Sequence, residues 1–163
     1  MKNFKNILVG LVTLCSFAFA QIVSDVHVGV SNAKVLDETY TEFNLGYGFN
    51  KYFDSNVVLG SSLGFAYGNP NVNNKNIDVY TAYVDLKVGY AIFDKDMFLY
   101  AIGSGALQGI DNNDGAGFGY GVGADYRITK SIALNLEYKT YDMTTSRFDY
   151  DYEKANLNLK YTF

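Results

Sequence analysis

The chain has 163 residues and a formal net charge of −4, from 13 Lys plus Arg against 17 Asp plus Glu. That length holds one domain, and the acidic balance argues against a nucleic-acid partner, which favours a basic patch. One His, one Cys and no Trp stand against 16 Gly, 15 Tyr and 12 Phe, so a zinc-type ligand set is out of reach and neither a metal nor a cofactor is expected.

Residues 1–20 read as a cleavable signal peptide. Lys2 and Lys5 give a basic start, Ile7 to Phe17 is apolar, and Ala18-Phe19-Ala20 is the small-x-small pattern that precedes a cut. Cleavage between Ala20 and Gln21 leaves residues 21–163 as one mature domain. The apolar run is too short to stay in a bilayer as a helix. Cys15 leaves with the signal, so no disulfide is expected; Leu14 just before it argues against lipidation.

Eight segments with period-two alternation follow, each reading as a strand with two unlike faces. The first, Ile22 to Val30, sets Val26, Val28 and Val30 against Asp25, His27 and Gly29. The second, Tyr40 to Phe49, sets Phe43, Leu45, Tyr47 and Phe49 against Glu42, Asn44, Gly46 and Gly48. In the third, Val57 to Tyr67, Leu63, Phe65 and Tyr67 oppose Ser62, Gly64 and Ala66. In the fourth, Val79 to Ile92, Val84, Leu86 and Val88 oppose Asp85, Lys87 and Gly89.

The fifth, Met97 to Leu107, is the least regular. Phe98, Tyr100 and Ile102 form its large set, and Leu99 falls with Ala101, Gly103 and Gly105. The sixth, Ala116 to Ile128, is the sharpest, with Phe118, Tyr120, Val122, Ala124 and Tyr126 between glycines, Asp125 and Arg127. The seventh, Ile132 to Tyr141, sets Leu134, Leu136 and Tyr138 against Asn135, Glu137 and Lys139. The eighth starts near Tyr150 and alternates to the last residue, Phe163.

A chain that stops inside its last strand needs a partner for that edge, and the first strand can supply it by closing a barrel. Connectors near Asn50–Ser55, Phe93–Asp96 and Thr129–Ser131 are short. Those near Ser31–Glu38, Asn69–Ile77, Gln108–Gly115 and Asp142–Asp149 read as longer polar loops. Short turns on one rim and long loops on the other are the pattern of an antiparallel up-and-down transmembrane β-barrel, with both chain ends on the periplasmic side. A soluble lipocalin-type barrel would turn the large residues inward. An eight-stranded lumen is too narrow for so many of them, so they should face lipid, with aromatics such as Tyr47, Phe49, Tyr52, Phe98, Tyr161 and Phe163 near one rim and Tyr67, Tyr80, Phe148 and Tyr150 near the other.

The signal, the eight strands, the four outer connectors and the closing Leu157, Leu159, Tyr161, Phe163 pattern resemble the small OmpA/OmpX-type outer-membrane barrels of Gram-negative bacteria, within the opacity-like porin superfamily. That resemblance implies an outer-membrane location and surrounding lipid and lipopolysaccharide. It also implies that Tyr161 and Phe163 are a signal read by the barrel-assembly machinery. A periplasmic domain of the OmpA type is not expected after Phe163, and the protein is expected to be a monomer.

The small and polar face assigns to the lumen Asp25, Glu42, Asp85, Asp125 and Glu137 with Lys87, Arg127, Lys139, Lys154 and Lys160. Buried charges are costly unless paired, so these residues are expected to form an ion-pair network, with Glu137 and Lys139 meeting neighbours such as Asp125, Arg127 and Lys160. That network either plugs the lumen or opens as a small diffusion channel. A third reading, a lipid A-modifying enzyme, would rest on His27, with Ser24 and Asp25 nearby. No His-x-Ser pattern accompanies His27, so no catalytic residue is expected. The glycines from Gly117 to Gly123 fall at every second place and read as strand, not as a nucleotide loop, which needs a following helix. Asp111 to Gly115 lacks calcium-loop spacing. The leading expectation is a non-enzymatic barrel serving envelope integrity or surface interaction.

Overall fold

A computed structural model describes residues 22–35, 38–72, 75–110, 113–146 and 148–163. The expected signal peptide, its Ala20–Gln21 cleavage point, Cys15, Asp37, Asp111 and Asn112 lie outside the described residues.

Eight long strands form in the described chain: β1 (Ile22–Val35), β2 (Glu38–Tyr52), β3 (Val57–Gly68), β4 (Val79–Ile92), β5 (Met97–Ile110), β6 (Asn113–Arg127), β7 (Ile132–Thr145) and β8 (Asp149–Thr162). Each pairs antiparallel with its chain neighbours, and β8 pairs with β1 to close the barrel. The seam register sets Val26 against Tyr161, Val28 against Leu159 and Val30 against Leu157. Phe163 N donates to Ser24 O at 3.1 Å, extending the seam to the last residue. Closure leaves no open edge, which removes the usual route to edge-to-edge association.

The large residues of seven strands face outward. Phe118 is 84 % exposed and Phe43 67 %, and Leu63, Leu86, Val122, Leu136 and Leu159 are exposed with them. A continuous apolar coat on a closed sheet fits hydrocarbon, where every backbone group must be paired within the protein. The soluble-barrel alternative would require the opposite facing.

The fifth strand corrects the expectation. Phe98, Tyr100 and Ile102 are buried in the lumen, and Leu99, Ala101, Gly103 and Gly105 face outward. The cause lies in the neighbours. Tyr100 is in register with Gly89 on β4 and Gly123 on β6, and Ile102 with Gly121. Glycine on both flanks leaves lumen space that large β5 residues fill. Of the expected girdle, Phe98 and Tyr150 are likewise buried inside, and Tyr52 packs against the Phe98–Tyr100 cluster.

The outer connectors are also shorter than expected. β1 runs on to Val35 and β2 starts at Glu38; β7 runs to Thr145 and β8 starts at Asp149. Polar residues in these stretches belong to strands, because the lumen and the solvated outer face both accept them. Asn69–Asp78 alone keeps a long connection among the described residues, pinned by Tyr67 Oη and Asn69 Nδ2, each donating to Asp78 Oδ1 at 2.8 Å. At the opposite rim, Asn56 and the consecutive Phe93, Asp94 and Lys95 adopt positive φ in four-residue turns. That conformation is strained for side chains bearing Cβ.

Candidate functional site in the barrel lumen

Inward positions stack in three polar layers below an apolar cap. The cap lies at the rim away from the chain ends, where Tyr40, Tyr141, Met143, Tyr150, Tyr152, Val35 and Val79 pack together. Tyr141 and Tyr152 stack with ring centres 5.3 Å apart. Tyr150 Oη donates to Gln108 Oε1 at 2.7 Å, and Gln108 Nε2 donates to Thr81 Oγ1 at 2.8 Å.

Under the cap, Glu42 accepts from Tyr40 Oη at 2.9 Å, from Tyr152 Oη at 2.7 Å and from Lys154 Nζ at 3.3 Å. The middle layer crosses the lumen. Lys139 Nζ on β7 meets Asp85 Oδ2 on β4 at 2.6 Å and Glu137 Oε2 at 3.1 Å; Lys87 Nζ on β4 meets Glu137 Oε1 at 2.6 Å. Ser104 and Ser62 donate to the remaining Asp85 lone pairs at 2.6 and 3.2 Å. Lys139 and Lys154 both sit over the Tyr83 ring, 4.3 and 4.9 Å from its centre, where the ring quadrupole attracts cations. The lowest layer joins Lys160 Nζ to Asp125 Oδ2 at 2.8 Å and to Asp25 Oδ2 at 3.4 Å. His27 Nδ1 lies 3.4 Å from Asp25 Oδ1, and Asn50 Nδ2 donates to Asp25 Oδ2 at 3.1 Å.

The lumen thus brings together Glu42, Asp85, Lys87, Asp125, Glu137, Lys139 and Lys160. Arg127 stands apart at the rim, partly exposed, with Asp96 Oδ1 4.0 Å away. The partners of Glu137 and Lys139 lie mainly on β4 and not on β6. The β6 positions in register with them are Gly123 and Gly121, which offer no side chain, so the long β7 side chains reach across. Tyr100 is a lumen residue that sequence reasoning missed. Its Oη lies 3.0 Å from Asp125 Oδ1 and 2.8 Å from Glu137 Oε1, so its single hydroxyl proton is shared between two carboxylates and ties the two lower layers. The signal for it was the glycine on either flank, legible once the register is known.

These glycines are required by close approach. A Cβ added at Gly123 would come within 2.5 Å of the Tyr100 ring. Gly123→Val should lower unfolding stability by about 1–3 kcal/mol through overpacking. Gly105→Val faces outward with nothing within 4 Å of its Cβ and should change stability by less than about 0.5 kcal/mol. Urea unfolding in detergent micelles checks both, and equal effects would contradict the facing of β5 and β6.

Tyr161 and Phe163 face outward at the β8–β1 seam, with ring centres 6.5 Å apart and Tyr47 6.1 Å from Phe163.

A closed antiparallel barrel of eight strands, apolar outside and ionic within, is a membrane-spanning barrel of the kind found in bacterial outer membranes. The chain belongs to the outer membrane protein beta-barrel domain family, whose model matches residues 7–163. It is an outer-membrane protein, surrounded by the lipid of that membrane. Among solved structures it is similar to Neisserial surface protein A, at TM-score 0.60 and 11% identity over 88% of this chain and 98% of that one. It is also similar to the attachment invasion locus protein Ail of Yersinia pestis, at 0.55 and 18% over 88% and 100%. A third is OprG of Pseudomonas aeruginosa, at 0.54 and 11% over 88% and 96%. These likenesses are of fold. No curated protein sequence matches the chain.

Proposed function

We propose that this is a non-enzymatic outer-membrane barrel that serves the envelope or its surface interactions, with a lumen plugged by its own side chains. The carrying observation is the cross-lumen bridging of β4 and β7 by Lys139–Asp85 and Lys87–Glu137 beneath the tyrosine cap. An eight-stranded barrel leaves just enough interior for side chains, and a channel would need both bridges and the cap to part. Purified protein in planar bilayers is therefore expected to give no stable conductance steps. Regular steps in the parent protein would establish the channel reading instead.

Two observations disfavour the enzyme reading. His27 and Asp25 are buried inside the barrel wall, whereas acyl chains lie outside it. Ser24 is on the opposite strand parity and faces away from them. Unchanged lipid A composition on expression of the protein is the expected result.

The solvated rim is the surface left for recognition, as loops and strand ends on a rigid scaffold commonly are. It exposes Glu38, Asp78, Asp114, Asp142, Asp149 and Asp151 against Lys34 among the described side chains. Ail has been solved with the heparin analogue sucrose octasulfate; the acidic rim here favours cationic or neutral partners, or lipopolysaccharide approached through divalent cations, over a polysulfated sugar. Tyr161 and Phe163, exposed at the closing strand, are the residues proposed for reading by the barrel-assembly machinery. The closed edge supports a monomer.

A further inference from the structure

Two cavities on the outside of the barrel meet at Tyr90. The first is an open apolar groove of about 770 Å³ across the lipid-facing wall from β4 to β8. It begins between two outward rows in register, Tyr90–Leu99–Ala124 below and Val88–Ala101–Val122 above. Ala101 and Ala124 stand where the coat elsewhere carries larger residues, so the wall's backbone forms the floor. Followed round the barrel, the lower row returns to β4 at Tyr80, near the outer rim. The groove therefore climbs from a periplasmic end on β4. Four strand spacings of ~4.8 Å make it roughly 19 Å long, the scale of an acyl chain.

The second cavity, of about 550 Å³, lies beyond Tyr90 at the periplasmic rim. Every described non-glycine residue with positive φ lines it: Asn56, Phe93, Asp94 and Lys95. Such strain persists only where the surrounding structure holds it, and it gathers at ligand clamps and active sites. Here Ala91 N donates to Asn56 O at 2.8 Å and Asp96 N to Phe93 O at 3.0 Å, fixing both turns. Asp96 faces Arg127. Asp94 and Lys95 are exposed and have no ion-pair partner among the described residues. One acid and one base are thus left over in a cavity that Tyr90 and Phe93 also line.

We propose that the two cavities bind one glycerophospholipid of the periplasmic leaflet with a phosphoethanolamine headgroup, an acyl chain in the groove and the headgroup against the turn. Lys95 meets the phosphate and Asp94 the ammonium, in charge-assisted hydrogen bonds, and the aromatic faces attract the same cation. A zwitterion matches one acid and one base. A phosphoglycerol head carries no cation for Asp94, and a phosphocholine head offers it no N–H. The groove is continuous with the membrane-facing belt, so its occupant is a lipid chain. The site lies outside the barrel wall and stands whether or not the lumen conducts.

The purified protein, folded in detergent, is mixed with phosphatidylethanolamine, phosphatidylcholine or phosphatidylglycerol of identical acyl chains and read by native mass spectrometry. One phosphatidylethanolamine should be retained in preference to the other two lipids. Asp94→Asn, which keeps a residue type tolerant of positive φ, and Lys95→Gln should each weaken that retention about tenfold through loss of a charge-assisted contact. Ala101→Phe, which fills the groove from the lipid side, should weaken it as much. Phosphatidylethanolamine with a photoreactive acyl chain should label β4 to β6 and spare β1 to β3. Equal retention of the three lipids, labelling spread evenly round the barrel (annular lipid only), or a preference untouched by all three variants would each overturn the proposal. The parent measurements decide it even if a variant fails to fold.

Discussion

Replacing Lys139 by methionine is expected to destabilise the barrel by about 3–5 kcal/mol, the usual cost of removing one partner of a buried ion pair. The side chain is 0 % exposed and touches three groups that have no solvent to replace it: Asp85, Glu137 and the Tyr83 ring. Glu137 keeps Lys87 and Tyr100 as partners, so most of the loss should arise at Asp85, left with hydroxyl donors from Ser62 and Ser104. The double variant Lys139→Met with Asp85→Leu should therefore recover much of the loss, giving a coupling energy of roughly 0.5–3 kcal/mol. Urea unfolding followed by tyrosine fluorescence and by the gel mobility of the folded barrel checks this. A loss below about 1 kcal/mol would mean that water reaches the layer, since solvated pairs contribute no more than that, and the plug reading would fall with it.

Where the sequence was legible, one strand face was uniformly large and the other uniformly small. β6 is the clear case: Phe118, Tyr120 and Val122 alternate with glycines, and the structure puts the rings outside. On β5 both faces carry large residues, Leu99 and Leu107 against Phe98, Tyr100 and Ile102. Local alternation then cannot say which set is inside. The decision is made by Gly89 and Gly123 on the flanking strands, which is tertiary information. The same limit explains the ion pairs. The inward parity of Asp85, Lys87, Glu137 and Lys139 follows from period two, but their pairing across the lumen depends on β6 lacking side chains at Gly121 and Gly123. Polar composition misled at the outer connectors. Asn32, Lys34 and Asp142 read as loop, yet Asn32 is paired with Ala155, and Asp142 with Asp151, in continuous ladders.

Strands of 12–15 residues exceed the roughly 9–11 that span a bilayer, so the strand ends must project into water, and a pair of arginine substitutions on one strand locates the boundary. Leu159 faces outward between Val28 and Leu134, in the middle of the apolar belt. Leu159→Arg should cost about 2–4 kcal/mol, the depth-dependent price of a cation near the bilayer midplane. Asp151 lies on the same strand with the same outward parity and is directly opposite Asp142, a like-charge pair that is itself unfavourable. Asp151→Arg turns that repulsion into attraction and should leave stability unchanged or raise it by up to about 1 kcal/mol. Both are read by urea unfolding in lipid vesicles, where the belt has hydrocarbon to meet. Equal costs at the two positions would mean that β8 has no membrane boundary between them. A cost at Asp151 alone would invert the facing of β8, on which the proposed plug depends.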